Sequence, residues 1–501
     1  MSSRKYILLV ACCTLWATAC FIVPDFIDNP IDSTGSFFSI AAYIGALGIF
    51  QLLLVYLMLL WRKVCAVVLP LYAIVGSAVS FYRVAYRVTI TPMIVEATLQ
   101  TNAEEAMGVL SSQLFLWVFL NLIIAIAFCF WRWRIDFPFS KPPLHAITAI
   151  ALFAALYWGN DRLHRSANQR YPFNVVVSTA DYIHLRNLMQ AERTMPKYNT
   201  ASVPDTLDIV LVIGESMRAD HLSINGYERP TTPRLEKRNN LISLPHIYSE
   251  HTHTAASVPH ILTRADSTNH APTYEETSFI SIFKQEGFRT AWLSNQDLGE
   301  AFAPFIGECD TMVFANSGKT VFVFSEWTDG QLLPIVAQMQ EERHSKNLYI
   351  IHTIGSHWYY NNHVPQEFQK FQPITNNRVV TSNTAEQVVN SYDNTAIYLD
   401  FFLDSLISLF SDRNALIIYQ SDHGESLGED NHWLHAGGAE ETKYPAAMIW
   451  YSDRYAQENA EKIDALKSNA FRHYRTDYIF HSILHAANLE AAEKGADVFE
   501  K

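Results

Sequence analysis

Two short phrases and one threonine-rich segment carry the chemistry this chain can perform. Gly214-Glu215-Ser216-Met217-Arg218-Ala219-Asp220-His221 offers a carboxylate, and Ser421-Asp422-His423-Gly424-Glu425 offers carboxylates and an imidazole. Glu, Asp and His together make a donor set that zinc accepts, and an open coordination position would suit catalysis. Between the two phrases lies His251-Thr252-His253-Thr254-Ala255, where either Thr252 or Thr254 supplies an alkoxide nucleophile. A threonine hydroxyl is a poor nucleophile until a neighbouring cation lowers its pKa.

Both phrases follow apolar runs. Ile209–Ile213 and Ala415–Tyr419 read as buried parallel strands. Open α/β sheets place their ligand sites just beyond the carboxyl ends of such strands. Read singly, Glu215 is an ordinary helix-start carboxylate and Asp422 a turn or cap residue. Their pairing at two strand ends argues for a shared site. Further strands are expected at 290–294, 347–353 and 446–450. A helix is expected over Asn390–Phe410, with Ile397, Phe401, Leu406 and Phe410 as its apolar positions. This alternation predicts a mostly parallel sheet covered by helices on both faces.

The amino-terminal part is of another kind. Segments near 6–23, 38–60, 64–82, 109–130 and 144–158 are strongly apolar. The first four are long enough to span a hydrocarbon core of about 30 Å. A cleaved signal peptide over residues 1–23 is disfavoured, because no small-residue cleavage site stands out. Arg4, Lys5, Arg62, Lys63, Arg132, Arg134 and Lys141 fall on one side of a five-span arrangement, which puts the amino terminus in the cytoplasm. Arg83 and Arg87 fall on the other side and run against that rule. The expected organisation is a five-helix transmembrane domain (1–158), a linker with interfacial helices (159–205, including 182–192), and an extracytoplasmic catalytic domain (206–501).

Composition narrows the partners. A formal net charge of −13 argues against nucleic acid. Of six cysteines, Cys309 alone lies in the outer domain, so that domain has no internal disulfide. No Cys-x-Pro-x-Arg or Ser-x-Pro-x-Arg stretch is present to form the oxidised nucleophile of a sulfatase.

Taken together, these phrases resemble the bacterial membrane-bound phosphoethanolamine transferases, which share their fold with alkaline phosphatases and sulfatases. The resemblance also rests on Gly226-Tyr227, Thr232-Pro233-Arg234-Leu235, Thr254-Ala255-Ala256-Ser257-Val258-Pro259, His352-Thr353-Ile354-Gly355-Ser356-His357, Tyr392-Asp393-Asn394-Thr395 and Leu434-His435. It implies Thr254 as the nucleophile, because the family places it four residues before a Val-Pro pair. It implies one zinc ion, and room for a second, with Glu215, Thr254, Asp422 and His423 as metal ligands. His357 and His435 stand at positions the family uses for the phosphate or a second zinc. Asn295 falls where the family binds substrate. Glu105, in the loop 91–106, stands where the family has a donor-lipid or interdomain carboxylate.

The chain departs from the family at three places. His-Gly-Pro becomes His357-Trp358-Tyr359. A lysine near the phosphate gives way to Trp292-Leu293-Ser294-Asn295-Gln296, as in the branch acting on core sugars or periplasmic glucans. A cysteine pair that often brackets the nucleophile is replaced by Glu250 and His260. His251, His253, His260 and His270 crowd one segment and read as polar surface or outlying groups.

The resemblance implies an inner-membrane, multi-pass enzyme with a periplasmic catalytic domain. Its donor would be phosphatidylethanolamine and its acceptor lipid A, the lipopolysaccharide core or a similar glycan. Two alternatives stand beside it. One is a glycerol-phosphate transferase of the same fold that draws on phosphatidylglycerol. The other is a non-catalytic membrane sensor, which would predict erosion at Glu215, Thr254, Asp422 or His423, and none is eroded.

Overall fold

The computed structural model describes residues 2–27, 29, 31, 33–85, 89–100, 111–200, 202–316, 326–435 and 439–501. The described residues divide into two compact units, one up to His184 and one from Leu185 onward.

The first unit is helical: α1 (Ser2–Phe21), α2 (Thr34–Leu60), α3 (Arg62–Ala85), α4 (Pro92–Gln100), α5 (Ser112–Trp133), α6 (Pro142–Trp158), α7 (Asp161–Asn168) and α8, which starts at Phe173 and ends at Met189. Four of these, α1 with the turn after it, α2, α3 and α5, are long and apolar enough to cross a membrane. The count rises to five if α6 and α7, bent by 103° at their junction, form one span. Several polar groups inside the bundle are partnered within it, as a low-dielectric setting favours. The Arg132 guanidinium donates to the carbonyls of Leu59 and Leu60, capping the last turn of α2, and to Ile135. Trp16 Nε1 donates to Asn121 Oδ1 at 2.9 Å. Helix α8 begins nine residues before the interfacial helix expected at 182–192. Glu105 lies outside the described residues.

The second unit is built on a seven-stranded sheet. Its strands are β1 (Leu207–Gly214), β2 (Leu241–Ser243), β3 (Arg289–Ser294), β4 (Thr311–Phe314), β5 (Lys346–His352), β6 (Ala415–Ser421) and β7 (Ala447–Tyr451), in the spatial order β2-β7-β6-β1-β5-β3-β4. The pairs β1–β5, β1–β6, β3–β5 and β3–β4 are parallel. Strand β7 runs antiparallel to both β6 and β2, so the sheet is mixed at that edge. Strand β1 is central and every residue in it is buried, which accounts for its uninterrupted apolar run.

Helices cover both faces. Val210 and Val212 of β1 join a core with Tyr349, Ile351 and Ile417, closed by Val336 on α11 (Leu332–Glu341) and by α12 (Ala385–Phe410). Ile209, Leu211 and Ile213 alternate to the opposite face. The helices α9 (Thr254–Leu262), α10 (Phe279–Gln285) and α13 (Tyr478–Ala486) bury Val258, Phe279, Phe283 and Ile479. Helix α12 starts five residues earlier than the expected Asn390, at a capping box in which Thr384 and Gln387 satisfy each other's backbone amides. Its buried stripe runs through Tyr392, Ala396, Leu399, Leu403, Leu406 and Phe410. Ile397 and Phe401 flank that stripe half-exposed, and Phe401 instead stacks on Tyr398 and packs tilted against Phe368.

Candidate active site

Strands β1, β6 and β5 end side by side, and the residues just past them form the site. The Asp422 amide donates to the Gly214 carbonyl at 3.0 Å, continuing the β1–β6 ladder beyond its last pair. At Ser216 the backbone turns sharply, with φ of 58°, a costly conformation for a residue with a side chain. Three contacts hold it there. The Ser216 amide donates to Asp422 Oδ1 (3.1 Å), the Met217 amide to Ser421 Oγ (2.8 Å), and Tyr392 Oη donates to the Ser216 carbonyl (2.6 Å). The segment after β5 closes on the same turn. The Ser356 amide donates to the Glu215 carbonyl. Gly355 has φ of 47°, and a Cβ there would sit 2.9–3.0 Å from Glu215 backbone atoms. Asp329 fixes this segment by accepting from the Ile354 and Gly355 amides.

The side chains then converge. Glu215 Oε2 accepts from Thr254 Oγ1 (2.9 Å) and Gln296 Nε2 (3.0 Å), and Oε1 accepts from Ser216 Oγ (2.6 Å). Thr254 is the first residue of α9, so its hydroxyl lies among first-turn amides that have no acceptor within the helix and favour an anion. Thr252 lies outside the helix. His423 Nε2 lies 3.4 Å from Asp422 Oδ2 and 3.5 Å from Glu215 Oε1. His423 Nδ1 stands 2.8 Å from the Gly424 carbonyl. A carbonyl only accepts, so Nδ1 carries the proton and Nε2 keeps its lone pair.

Asp422 Oδ2 and His423 Nε2 are fully buried and have no hydrogen-bond partner among the described residues. Ligands about 2.1 Å from one tetrahedral zinc ion lie about 3.4 Å apart. Two orphaned buried donors at that spacing, with Glu215 beside them, fit the ion. The imidazole N–H directed at a carbonyl is the support metal-bound histidines commonly have.

Charge balance in the protein alone points the same way. Burial pushes the Glu215 carboxyl up, but the facing imidazoles of His423, His357 and His435 outweigh it and hold it down to about 2. Burial and then the Glu215 carboxylate push Asp422 well above the usual carboxylate range. Burial lowers His423, so the positive charge of the group rests on His435. There burial is outweighed by the Glu425 carboxylate 3.3 Å away, and the imidazole rises to about 9. A site that keeps a proton on one of two adjacent carboxylates is short of a cation.

His435 and His357 join the rim. The His423 and His435 rings are 4.5 Å apart between centroids, and those of His357 and His435 are 6.4 Å apart. His357 Nδ1 lies 2.6 Å from the Trp358 carbonyl, an acceptor only, so Nδ1 carries a proton there. Asn295 is placed differently. Its amide group is taken up by Asp329 Oδ1 (2.9 Å) and Trp327 Nε1 (3.0 Å), and the next residue, Gln296, is the one that meets Glu215. Gln296 and Ser216 were not singled out from the sequence. Their only sequence signal is their place one residue beyond Asn295 and Glu215.

The comparisons with known proteins follow this division. The sulfatase family profile matches residues 208–489, and the profile described as phosphoethanolamine transferase EptA/EptB matches residues 49–186. Phosphoethanolamine transferase EptA of Escherichia coli (strain K12) is 27% identical over 463 residues, covering 84% of this chain and 82% of its own. The integral membrane lipooligosaccharide phosphoethanolamine transferase A of Neisseria meningitidis aligns over 96% of this chain and 95% of its own, with a TM-score of 0.53 and 22% identity. The C-terminal periplasmic domain of EptC from Escherichia coli, solved in complex with zinc, aligns over 62% of this chain and 90% of its own, with a TM-score of 0.56 and 24% identity.

Proposed function

The chain belongs to the sulfatase-fold family, in its branch of membrane-bound phosphoethanolamine transferases, and on that premise we propose that it moves phosphoethanolamine from phosphatidylethanolamine to a surface glycolipid or glycan through Thr254. The observation that carries the reading is the Thr254 hydroxyl held on Glu215 at the start of α9, beside the unpartnered Asp422 Oδ2 and His423 Nε2. Residues 1–158 form the membrane domain of this reading, 159–205 the connection and 206–501 the catalytic domain. The enzyme sits in the bacterial inner membrane with that domain in the periplasm.

Glu215, Asp422 and His423, with Thr254, would hold a zinc ion, and His357 and His435 stand where a second would bind. When bound, zinc supplies positive charge that lowers the pKa of the hydroxyl and neutralises charge on phosphoryl oxygens. The rest falls to the chain. Glu215 Oε2 fixes the Thr254 rotamer and receives the hydroxyl hydrogen in its hydrogen bond. Thr254 Oγ forms a bond to phosphorus as the bond to the diacylglycerol oxygen breaks, and the proton given up by the threonine hydroxyl ends on that oxygen. The first-turn amides of α9 face the phosphoryl oxygens. His357 and His435 bind the substrate side of the phosphoryl group. An acceptor phosphate or sugar hydroxyl then attacks phosphorus and restores Thr254.

The test uses full-length protein in liposomes. Diacylglycerol should be released from phosphatidylethanolamine in preference to phosphatidylglycerol. Faster turnover of phosphatidylglycerol would replace the donor by glycerol-phosphate chemistry. Mass spectrometry of surface glycolipids from cells with and without the protein identifies the acceptor.

A further inference from the structure

We propose that His251, His260 and His270 form a further transition-metal site, separate from the one at Glu215 and from His357 and His435, which ties the segment before Thr254 to helix α9 and to the turn after it. The three come from three pieces of chain: the loop before α9, the second turn of α9, and the loop that follows it. Their ring nitrogens nevertheless converge, with one ligand atom from each within 4.8 Å of the others. His251 Nε2 and His260 Nε2 are 3.3 Å apart, and His260 Nε2 and His270 Nδ1 are 2.8 Å apart. Nitrogens about 2.05 Å from one tetrahedral zinc ion would lie about 3.3 Å apart.

The proton positions favour a metal over a chain of imidazole hydrogen bonds. His260 Nδ1 lies 2.8 Å from the Ala256 carbonyl, which only accepts, so Nδ1 holds the proton and Nε2 presents its lone pair to the other two rings. One in-plane lone pair cannot serve donors from both neighbours. A cation at the convergence point takes a lone pair from each ring instead. Burial, and then the His260, His270 and His253 imidazoles, hold His251 down to about 4, and burial lowers His260, which favours the lone-pair form that binds metal. Carboxylates stand close by, since Glu250 and Asp477 both bear on His260. The loop carrying His270 is also set, because Asp266 Oδ1 accepts from the Thr268 and Asn269 amides.

Three imidazole nitrogens select a borderline divalent ion, which we assign as zinc, with water completing the tetrahedron on the exposed His270 side. The site lies three residues from Thr254 and shares no ligand with the Glu215 group. Its role is to hold the start of α9, and so the nucleophile, in place.

The experiment strips full-length protein in detergent with a chelator, reloads it with zinc and counts bound ions by elemental analysis. His270→Ala and His251→Ala should each bind one ion fewer than wild type and lose part of the zinc-dependent rise in Tm. His270 is exposed, so its removal spares the core. Glu215→Ala should lose a different ion, and Glu215→Ala with His270→Ala should lose both. A count equal to wild type in both His270→Ala and His251→Ala would overturn this site, and an unchanged count in Glu215→Ala would count against the Glu215 site alone.

Discussion

Thr254 Oγ donates to Glu215, and its removal leaves the other three donors, Glu215, Asp422 and His423, in place. Thr254→Ala should therefore lower transfer by about a thousandfold or more while keeping zinc. Intact-mass analysis with donor should show a phosphoethanolamine adduct on wild type only, and an adduct persisting in the variant would move the nucleophile, with Thr252 the next candidate. Glu215→Ala, Asp422→Ala and His423→Ala should each weaken zinc binding by more than about tenfold, read by metal analysis of dialysed protein. A pH effect follows at His435. Its folded-state pKa of about 9 lies above the ordinary histidine value, because Glu425 outweighs burial. The chelated protein therefore gains stability from this pair that is complete below pH about 6.5 and is lost as pH rises through about 9. Glu425→Gln should flatten that part of the Tm-against-pH curve. The convergence of Glu215, Asp422 and His423 was legible because strand ends announce it. Asn295 was named where Gln296 does the touching, for a simple reason. Asn295 extends the sheet through its amide to the His352 carbonyl, so adjacent side chains point to opposite sides, and a one-residue offset exchanges them.

At the scale of elements, the site depends on three strand ends and one helix that pins them. Tyr392 on α12 donates to the Ser216 carbonyl and accepts from the Arg218 amide. Tyr392→Phe leaves that buried amide unpaired and should cost about 1–3 kcal/mol, read as a lower midpoint in denaturant. Gly355→Ala places a Cβ against the Glu215 backbone at positive φ and should cost about 1–3 kcal/mol, with loss of activity exceeding loss of fold. The strands of the centre were readable as apolar runs. The direction of β7 was not, because an apolar strand reads alike in either sense. The connection over residues 422–446 is long enough for a crossover, but its described residues form only two-residue strands and short 3₁₀ turns, with no α-helix to carry the chain back across the sheet. The start of α12 was written in Thr384 and Gln387, whose capping signature lies outside the apolar stripe.

For the whole molecule, the boundary between the compact units falls at His184–Leu185, inside helix α8, where a composition-based linker at 159–205 has no means of resolving it. The isolated domain from about residue 206 should cleave small soluble phosphoethanolamine esters slowly and transfer poorly from bilayer lipid, since a tethered donor is what raises effective concentration. Equal rates from bilayers for domain and full chain would remove any role for the membrane part. Cys309 is a free thiol and the sole cysteine after residue 129. Melting of the domain with and without a thiol reductant should coincide, and a large drop would reveal a cross-link.

Strand β7 enters the sheet at the rim where β6 leaves it: the Ser421 amide donates to the Ala446 carbonyl, and the Ala446 amide to the Met217 carbonyl. The stretch between Ser421 and Ala446 therefore departs from and returns to one place, with Glu425 and His435 on it. Asp422 and His423 open this stretch and His435 lies within it, so the exchangeable cassette is the part after His435. That part can be lengthened, shortened or rewritten without shifting the register of any strand, so outer contacts can evolve while the reacting groups keep their positions.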